Sequence, residues 1–165
     1  MKILAIDPGN ERSAYVLYEH GTILAFDTTT NKVILERMPE FKAEYIDEMA
    51  IEMIASYGMS VGKSIFDTCV WIGRFIQRWD PKPWSKVYRH DVKMHLCHSM
   101  KAKDGNVRQA LIDLYPPSGG GKCPQIGTVK QKGPLYGVSG DVWSALAVAV
   151  TFDAPYNEIV NRGDK

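Results

Sequence analysis

Three strand-length apolar segments in the first 26 residues constrain the fold more than any other feature of the sequence. They are residues 3–6, 13–18 and 22–26, and the last two flank Glu19-His20-Gly21, which is typical of a tight hairpin turn. This pattern predicts an antiparallel meander. The first segment ends in Asp7-Pro8-Gly9. A carboxylate that directly follows a buried strand is costly unless it binds something.

The rest of the chain alternates between strand-like and helix-like segments. Further strands are predicted at residues 45–54 and 86–88, and helices at residues 31–37, 62–79, 90–97, 104–114 and 141–152. Ser139 is a candidate N-cap for the last helix. Strands that come first and then alternate with helices favour an α/β fold with a mixed sheet.

The length and composition of the chain favour one domain. A chain of 165 residues that is 45% hydrophobic can bury one substantial core, so we expect a single domain over residues 1–155 and a flexible tail over residues 156–165. No apolar segment approaches about 18 residues, which predicts neither a signal peptide nor a membrane span. Three cysteines without a CxxC pair fit a reducing compartment. We expect a soluble, cytoplasmic protein with no membrane partner.

Charge is unevenly distributed, although the formal net charge is only +1. Residues 26–58 hold seven acids against three bases, whereas residues 82–132 hold ten bases against three acids. Such a pattern indicates a cation-binding half and an anion-binding half, or else an ordinary solvated basic face. Residues 118–140 contain seven of the 14 glycines and no apolar periodicity, which predicts a long irregular segment whose role the sequence leaves open.

Three acids stand where a sheet can bring them together. Asp7 ends the first strand, Glu52 lies near the end of the strand at residues 45–54, and Asp141 lies in the first turn of the last helix. If the two strands are neighbours, hard carboxylate oxygens converge at one edge and predict a magnesium site. Each acid also has a simpler interpretation, as a turn residue, a solvent-facing glutamate or a helix N-terminal charge. Glu48 competes with Glu52 on sequence alone.

Two other motifs predict less. Residues 58–64 resemble a phosphate-binding P-loop, but three residues rather than four separate the glycines, so nucleotide hydrolysis is not favoured. The group His90, His95, Cys97 and His98 lacks the spacing of a zinc site.

An ordered set of motifs resembles the RuvC-type Holliday junction resolvases, in the ribonuclease H-like superfamily. The motifs are Ile6-Asp7-Pro8-Gly9, Ala50-Ile51-Glu52, Asp91-Val92-Lys93 before a basic helix start at Lys103, and the stretch DVWSALA that begins at Asp141. They span residues 1–152. Residues 51–59 and 133–138 are similar to the phage-borne branch of that family, which would place the protein in a bacterial host.

The resemblance implies a ribonuclease H-like, five-stranded mixed sheet flanked by helices, a homodimer, and incision of branched DNA that depends on Mg²⁺, with Mn²⁺ as a substitute. It assigns Asp7, Glu52 and Asp141 as the catalytic, metal-binding acids. The family usually has another acid one helical turn after the third, where this chain has Ser144. A serine can coordinate only through a neutral hydroxyl or a bridging water, so we expect the second metal to be weaker or held differently.

The same resemblance matches Lys93 and Lys103 to basic positions that engage DNA, with Lys101 as an alternative to Lys103. Phosphate contacts are also expected from Lys63 and Arg74. Tyr57 and Met59 follow the Glu52 strand and are candidates for wedging into a junction centre, or for anchoring the loop. The aromatic positions Phe66, Trp71, Phe75 and Trp79 have helical spacing, which favours core or dimer packing over base stacking.

The sequence therefore predicts a magnesium-dependent endonuclease that resolves four-way DNA junctions as a dimer. One alternative keeps the chemistry but acts more broadly on flaps and forks, because three acids do not encode branch geometry. Another is a junction-binding protein whose cleavage is reduced because of Ser144.

Overall fold

The computed structural model describes residues 1–55, 58 and 60–163, with side chains described as far as Ala154. Within these ranges the chain forms one five-stranded sheet and five helices. The strands are β1 (Lys2–Asp7), β2 (Arg12–Glu19), β3 (Thr22–Thr30), β4 (Glu48–Met53) and β5 (Trp84–Tyr88). The helices are α1 (Asn31–Ala43), α2 (Lys63–Trp79), α3 (Arg89–Cys97), α4 (Asp104–Leu114) and α5 (Val142–Gly163).

The sheet is mixed, with strand order β3-β2-β1-β4-β5. β1, β2 and β3 form an antiparallel meander, whereas β4 runs parallel to β1 and β5 runs parallel to β4. His20 and Gly21 close the β2–β3 hairpin with positive φ angles of 44° and 82°, as tight hairpin turns require. The predicted five-stranded mixed sheet flanked by helices is therefore confirmed.

Each face of the sheet has its own core and its own helical layer. Along β1, Ile3 and Ala5 belong to the core shared with α3, α4 and α5, while Leu4 and Ile6 belong to the core shared with α1 and α2. This alternation follows from the two-residue period of a strand. Both faces of the central strands are consequently buried, as is usual where parallel strands are covered by helices.

Helix α5 packs on β1 and β2 through small side chains. The buried alanines of this shared core are Ala5, Ala14 and Ala50 in the sheet and Ala145, Ala147 and Ala149 in the helix. Because protein interiors are close-packed, methyl groups on both surfaces let the helix approach the sheet closely. The sheet thereby fixes the position of the N-terminal end of α5.

The predicted boundaries of β3, α1 and β4 were wrong by three residues or more. Strand β3 extends to Thr30 because residues 27–30 pair with Arg12–Tyr15 of β2. Helix α1 continues to Ala43 with Pro39 inside it, because burial of side chains on its inner face offsets the backbone hydrogen bond that proline removes. Strand β4 begins at Glu48 rather than at residue 45, since Tyr45 has a positive φ of 57° and is exposed.

The start of α5 also differs from the prediction. The helix begins at Val142, and Asp141 rather than Ser139 precedes it directly. The carbonyl of Asp141 accepts hydrogen bonds from the N–H groups of Ser144 (3.0 Å) and Ala145 (3.1 Å). Helical backbone continues past residue 155 to Gly163. The flexible tail predicted for residues 156–165 stays a prediction.

Residues 118–140 form the irregular segment that the sequence predicts, and its glycines allow its own backbone to cross itself closely. A Cβ atom on Gly119 would lie 2.6 Å from the backbone N of Gly133, and one on Gly127 would overlap the same atom. Leu135 and Val138 anchor the segment in the α5 core.

No helix in the part of the chain that the structure describes is long and apolar enough to cross a membrane. Cys69, Cys97 and Cys123 are free thiols.

Candidate active site

The sheet register places Asp7 and Glu52 side by side. Ile6 of β1 is the register partner of Ile51 in the parallel strand β4, so the residues that follow lie at the same level. Ile6 and Ile51 belong to the core on the α1 and α2 face, and strand alternation therefore turns the two acids toward α3, α4 and α5. The carboxyl groups of Asp7 and Glu52 share a hydrogen bond.

Glu48, the competing candidate on sequence alone, lies at the opposite end of β4. It pairs in register with Ile3, and its Oε1 accepts a 2.7 Å hydrogen bond from the hydroxyl of Ser85. The geometry therefore brings Glu52, and not Glu48, to Asp7.

Asp141 reaches the same centre from the N-terminal end of α5. It is exposed, and its negative charge acts on Asp7. A carboxylate at this end of a helix also interacts favourably with the helix dipole. The structure thus brings together the three acids that the sequence singles out.

The electrostatics of Asp7 show how tightly the acids are grouped. The pKa of Asp7 is raised from 3.8 to about 8, first by burial and then by the negative charges of Glu52 and Asp141 and the hydrogen bond with Glu52, against the positive charge of Arg89. Without a bound cation, Asp7 therefore keeps its proton at neutral pH.

Glu52 responds to a partly different set of neighbours. Burial raises its pKa above the ordinary value, and the charge of Arg89 opposes that rise. The charge of Asp104 raises the pKa further, while the hydrogen bond from Asp7 lowers it. Asp104 is therefore a fourth acid within electrostatic range of the site.

Arg89 and Asp104 are residues of this site that the sequence reasoning missed. Arg89 directly follows Tyr88 of β5, whose register partner is Met53, the residue after Glu52. Its guanidinium forms an ion pair with Asp104, the first residue of α4. The signal in the sequence was an arginine directly after the strand that pairs with the Glu52 strand. The arginine can be assigned to the site only once the pairing of β4 with β5 is known.

Two adjoining cavities share Arg89. One of about 220 Å³ is lined by Asp7, Glu52 and Arg89, together with Pro8 and residues 53–55. The other, of about 190 Å³, is lined by Arg89, Asp104, Asp141 and Ser144, together with Val107, Arg108, Gly140 and Trp143. Arg108 lies in the second cavity with its Cζ 4.8 Å from the centre of the Trp143 ring. The acids therefore border two cavities that meet at Arg89.

The acid centre is not a preformed metal cage. Among the side chains that the structure describes, which end at Ala154, no group of three or more His, Cys, Asp or Glu is arranged to hold a metal ion. The donors of Asp7, Glu52 and Asp141 are nevertheless the hard oxygens that Mg²⁺ prefers, and their mutual repulsion is what a divalent cation relieves. The ligand atoms are therefore of the type that binds Mg²⁺, once Asp7 has lost its proton.

The predicted DNA-binding lysines divide between two faces of the sheet. Lys93 lies on α3, four residues after Arg89 and so on the same side of that helix, while Lys101 and Lys103 precede α4 and are exposed. Lys63 begins α2 on the opposite face. Arg74 lies a further eleven residues along α2, roughly 16 Å away. Tyr57 and Met59 lie outside the described residues.

The predicted aromatic positions on α2 separate into core and surface. Phe75 and Trp79 are fully buried, as the helical spacing predicts. Phe66 is 60% exposed, and Val70, one turn later, is 61% exposed. Trp71 is partly buried, with the guanidinium carbon of Arg74 at 4.1 Å from its ring centre.

Comparison with known proteins finds likeness of structure and none of sequence. No protein-family model and no curated protein matches the chain. Two solved structures of Thermus thermophilus RuvC are similar over nearly the whole length. RuvC in complex with a Holliday junction substrate has a TM-score of 0.68 and 15% identity, covering 94% of this chain and 96% of that one. The second RuvC structure has a TM-score of 0.66 and 14% identity, covering 95% and 97%. The chain therefore has the ribonuclease H-like fold of RuvC.

Proposed function

We propose that this protein is a magnesium-dependent endonuclease that cleaves branched DNA, with the four-way junction as its preferred substrate. The observation that carries the proposal is the convergence of Asp7, Glu52 and Asp141, where burial and then the charges of the two neighbouring acids raise the pKa of Asp7 to about 8. A fold keeps such an unfavourable group of charges where it serves a ligand or a reaction. Likeness of fold to RuvC, one structure of which is bound to a Holliday junction, supports the choice of substrate.

In this proposal Asp7, Glu52 and Asp141 hold Mg²⁺, with Ser144 contributing through a water, and Mn²⁺ can substitute. The bound ion would supply Lewis acidity and an activated water for phosphodiester hydrolysis. Asp7 would lose its proton when the ion binds. Glu52, on the neighbouring strand, would keep the Asp7 carboxylate oriented. Asp141, at the α5 N-terminus, completes the oxygen set from the side of the second cavity.

DNA is proposed to lie across the α3–α4 side of the molecule. Lys93, Lys101 and Lys103 stand on or beside the helices that border the acid centre, where they can neutralise phosphates. Lys63 and Arg74, on the other face, are assigned to a more distant arm of a branched substrate. Tyr57 and Met59 keep the proposed role of junction wedge.

The protein is proposed to act as a homodimer, because symmetric incision of a four-way junction needs two acid centres. The exposed pair Phe66 and Val70 on α2 presents an apolar stripe suited to a second copy. Membership of the phage-borne branch is proposed on the sequence motifs alone.

Cleavage of a synthetic four-way junction, compared with a linear duplex and a fork in Mg²⁺, tests the proposal. Wild type should introduce paired nicks confined to the junction. Asp7→Asn should abolish them, while Asp113→Asn, the same change at an exposed acid of α4, should not. Equal cutting of fork and junction would favour a broader branch nuclease. Junction binding without cutting would favour the binding role, to which Ser144 points because it leaves one carboxylate fewer.

A further inference from the structure

Arg89 is placed to do more than hold two helices together. Its Nη2 donates to Oδ1 of Asp104, but its Nη1 is buried and has no hydrogen-bond partner among the described residues. A buried guanidinium N–H without an acceptor is unfavourable, and such a group in a native fold calls for a ligand or another explanation. The side chain, 26% exposed, lines both cavities of the acid centre.

Asp104 is a weak partner for this guanidinium. Its side chain is 87% exposed, and ion pairs with a solvent-exposed member contribute little stability. Its charge also raises the pKa of Glu52, so the pair with Arg89 is formed beside other negative groups rather than in isolation. An anion with two acceptor oxygens would satisfy both ends of the Arg89 fork, whereas Asp104 meets only one.

We propose that Arg89 binds both non-bridging oxygens of a phosphate in the DNA strand that enters the acid centre, and that this phosphate displaces Asp104 from the guanidinium. This inference rests on the proposed function, and names a substrate-binding residue within it. In the free protein, Asp104 occupies the position that the phosphate takes in the complex.

The neutral side chain of Ser144 is one reason why a DNA phosphate would bind Arg89 in place of Asp104. Ser144 and Arg89 line the same cavity, next to Asp141. The resolvases that the chain resembles usually have another metal-binding acid at this position, whereas this chain has the neutral hydroxyl of Ser144. A fixed guanidinium on the same side supplies positive charge to the phosphate without a metal, as arginines do in other phosphoryl-transfer sites.

The structural alternative is that the pair only clasps α3 to α4. A clasp predicts that removing either partner has the same effect, a loss of stability, and that DNA affinity does not change. Exchange predicts effects of opposite sign on affinity, because Arg89 attracts the phosphate and Asp104 competes with it.

The test measures binding of a fluorescent four-way junction in EDTA over a series of salt concentrations, so that no metal or cleavage is involved. Arg89→Gln should weaken binding about tenfold and reduce the salt slope by about one, as expected for loss of a phosphate contact. Arg89→Lys should restore the salt slope but only part of the affinity, because a lysine lacks the fork. Arg78→Gln, an exposed arginine in the last turn of α2, is the matched control for loss of one charge and should bind as wild type.

Asp104→Asn should tighten binding about threefold. Combined with Arg89→Gln it should have almost no effect, which separates exchange from a general gain of positive charge. Thermal unfolding of every variant checks the fold, and the exposed Asp104 gives a variant that is expected to fold even if Arg89→Gln does not. Should the Asn substitution leave affinity unchanged, or act equally with and without Arg89, the inference is wrong. Wild-type protein that binds no junction overturns the proposed function itself, whereas junction binding that Arg89→Gln leaves intact overturns only this inference.

Discussion

Replacing Asp7 with asparagine should stabilise the metal-free protein at alkaline pH while destroying activity. Asparagine has nearly the same size and can still donate a hydrogen bond to Glu52, but it removes the carboxyl group that burial, Glu52 and Asp141 make unfavourable to ionise. The proposed catalytic site would then be one of the places where the fold gives up stability for function.

The magnitude follows from the change in the pKa of Asp7. A rise from 3.8 to about 8 sets a ceiling of roughly 6 kcal/mol on the cost of ionising Asp7 in the folded state, at about 1.4 kcal/mol per tenfold change in the proton equilibrium. Because the side chain is only partly buried, solvent screens the charge, and we expect about 2–3 kcal/mol. That corresponds to roughly 4–10 °C in melting temperature for a chain of this size.

The sign depends on pH. The folded pKa of Asp7 lies above the unfolded value, so the folded state binds the proton more tightly. The stability contributed by that proton is fully present below pH 3.8 and is lost as pH rises through about 8. The free energy of unfolding of wild type should therefore fall progressively below that of Asp7→Asn between these two pH values, and the difference should be largest above pH 8.

Urea unfolding in EDTA at pH 4.5, 6.5 and 8.5 measures this, with Asp113→Asn as the control for loss of an exposed acid. Adding Mg²⁺ at pH 8.5 should stabilise wild type and leave Asp7→Asn unchanged, because binding to the folded state raises stability by mass action. Parallel stability–pH curves for wild type and Asp7→Asn would refute the reasoning. So would an asparagine variant less stable than wild type at pH 8.5.

Three further outcomes are expected. The Mg²⁺ concentration that gives half-maximal cleavage should fall as pH rises from 6.5 to 8.5, because a proton must leave Asp7 before a cation is held; a pH-independent requirement in a titration of initial rates would contradict this. Ser144→Asp adds an acid beside Asp141, so it should lower that Mg²⁺ requirement severalfold and lower the melting temperature in EDTA. Ser139→Asp, which lies outside the cavity, is its control. Gly127→Ala should lower the free energy of urea unfolding by about 2 kcal/mol or more, because Gly127 has φ +81° and an added Cβ would overlap the backbone of Gly133. Gly105→Ala, which has open space around the added Cβ, should lower it far less.

The parts of the fold predicted from sequence are those with a strong local signal. The meander, helix α2 and the irregular glycine-rich segment all follow from alternation, helical spacing and composition. The pairing of β4 with β1 was only a condition in the sequence argument, and it is what places Glu52 rather than Glu48 beside Asp7. The catalytic and metal-binding roles of the three acids stay predictions.

What the sequence did not predict depends on tertiary contact. Helix α1 passes through Pro39 because Ile34, Met38 and Phe41 are buried, which no local propensity reports. The contact of Arg89 with Asp104 depends on how α3 and α4 pack, and nothing in the periodicity of either helix indicates it. Asp141 was expected inside the helix, whereas its backbone carbonyl begins the helix from outside.

The alanines between α5 and the sheet work as a spacer for the acid centre. Asp7 and Glu52 are fixed to the sheet, and Asp141 is fixed to the helix, so the thickness of that methyl-lined layer sets the gap that a cation must fill. A larger side chain in this buried layer would lift the end of α5 and widen the gap without touching any acid. In the proposed function, metal selectivity would therefore be open to adjustment from a buried layer that is separate from the acids themselves.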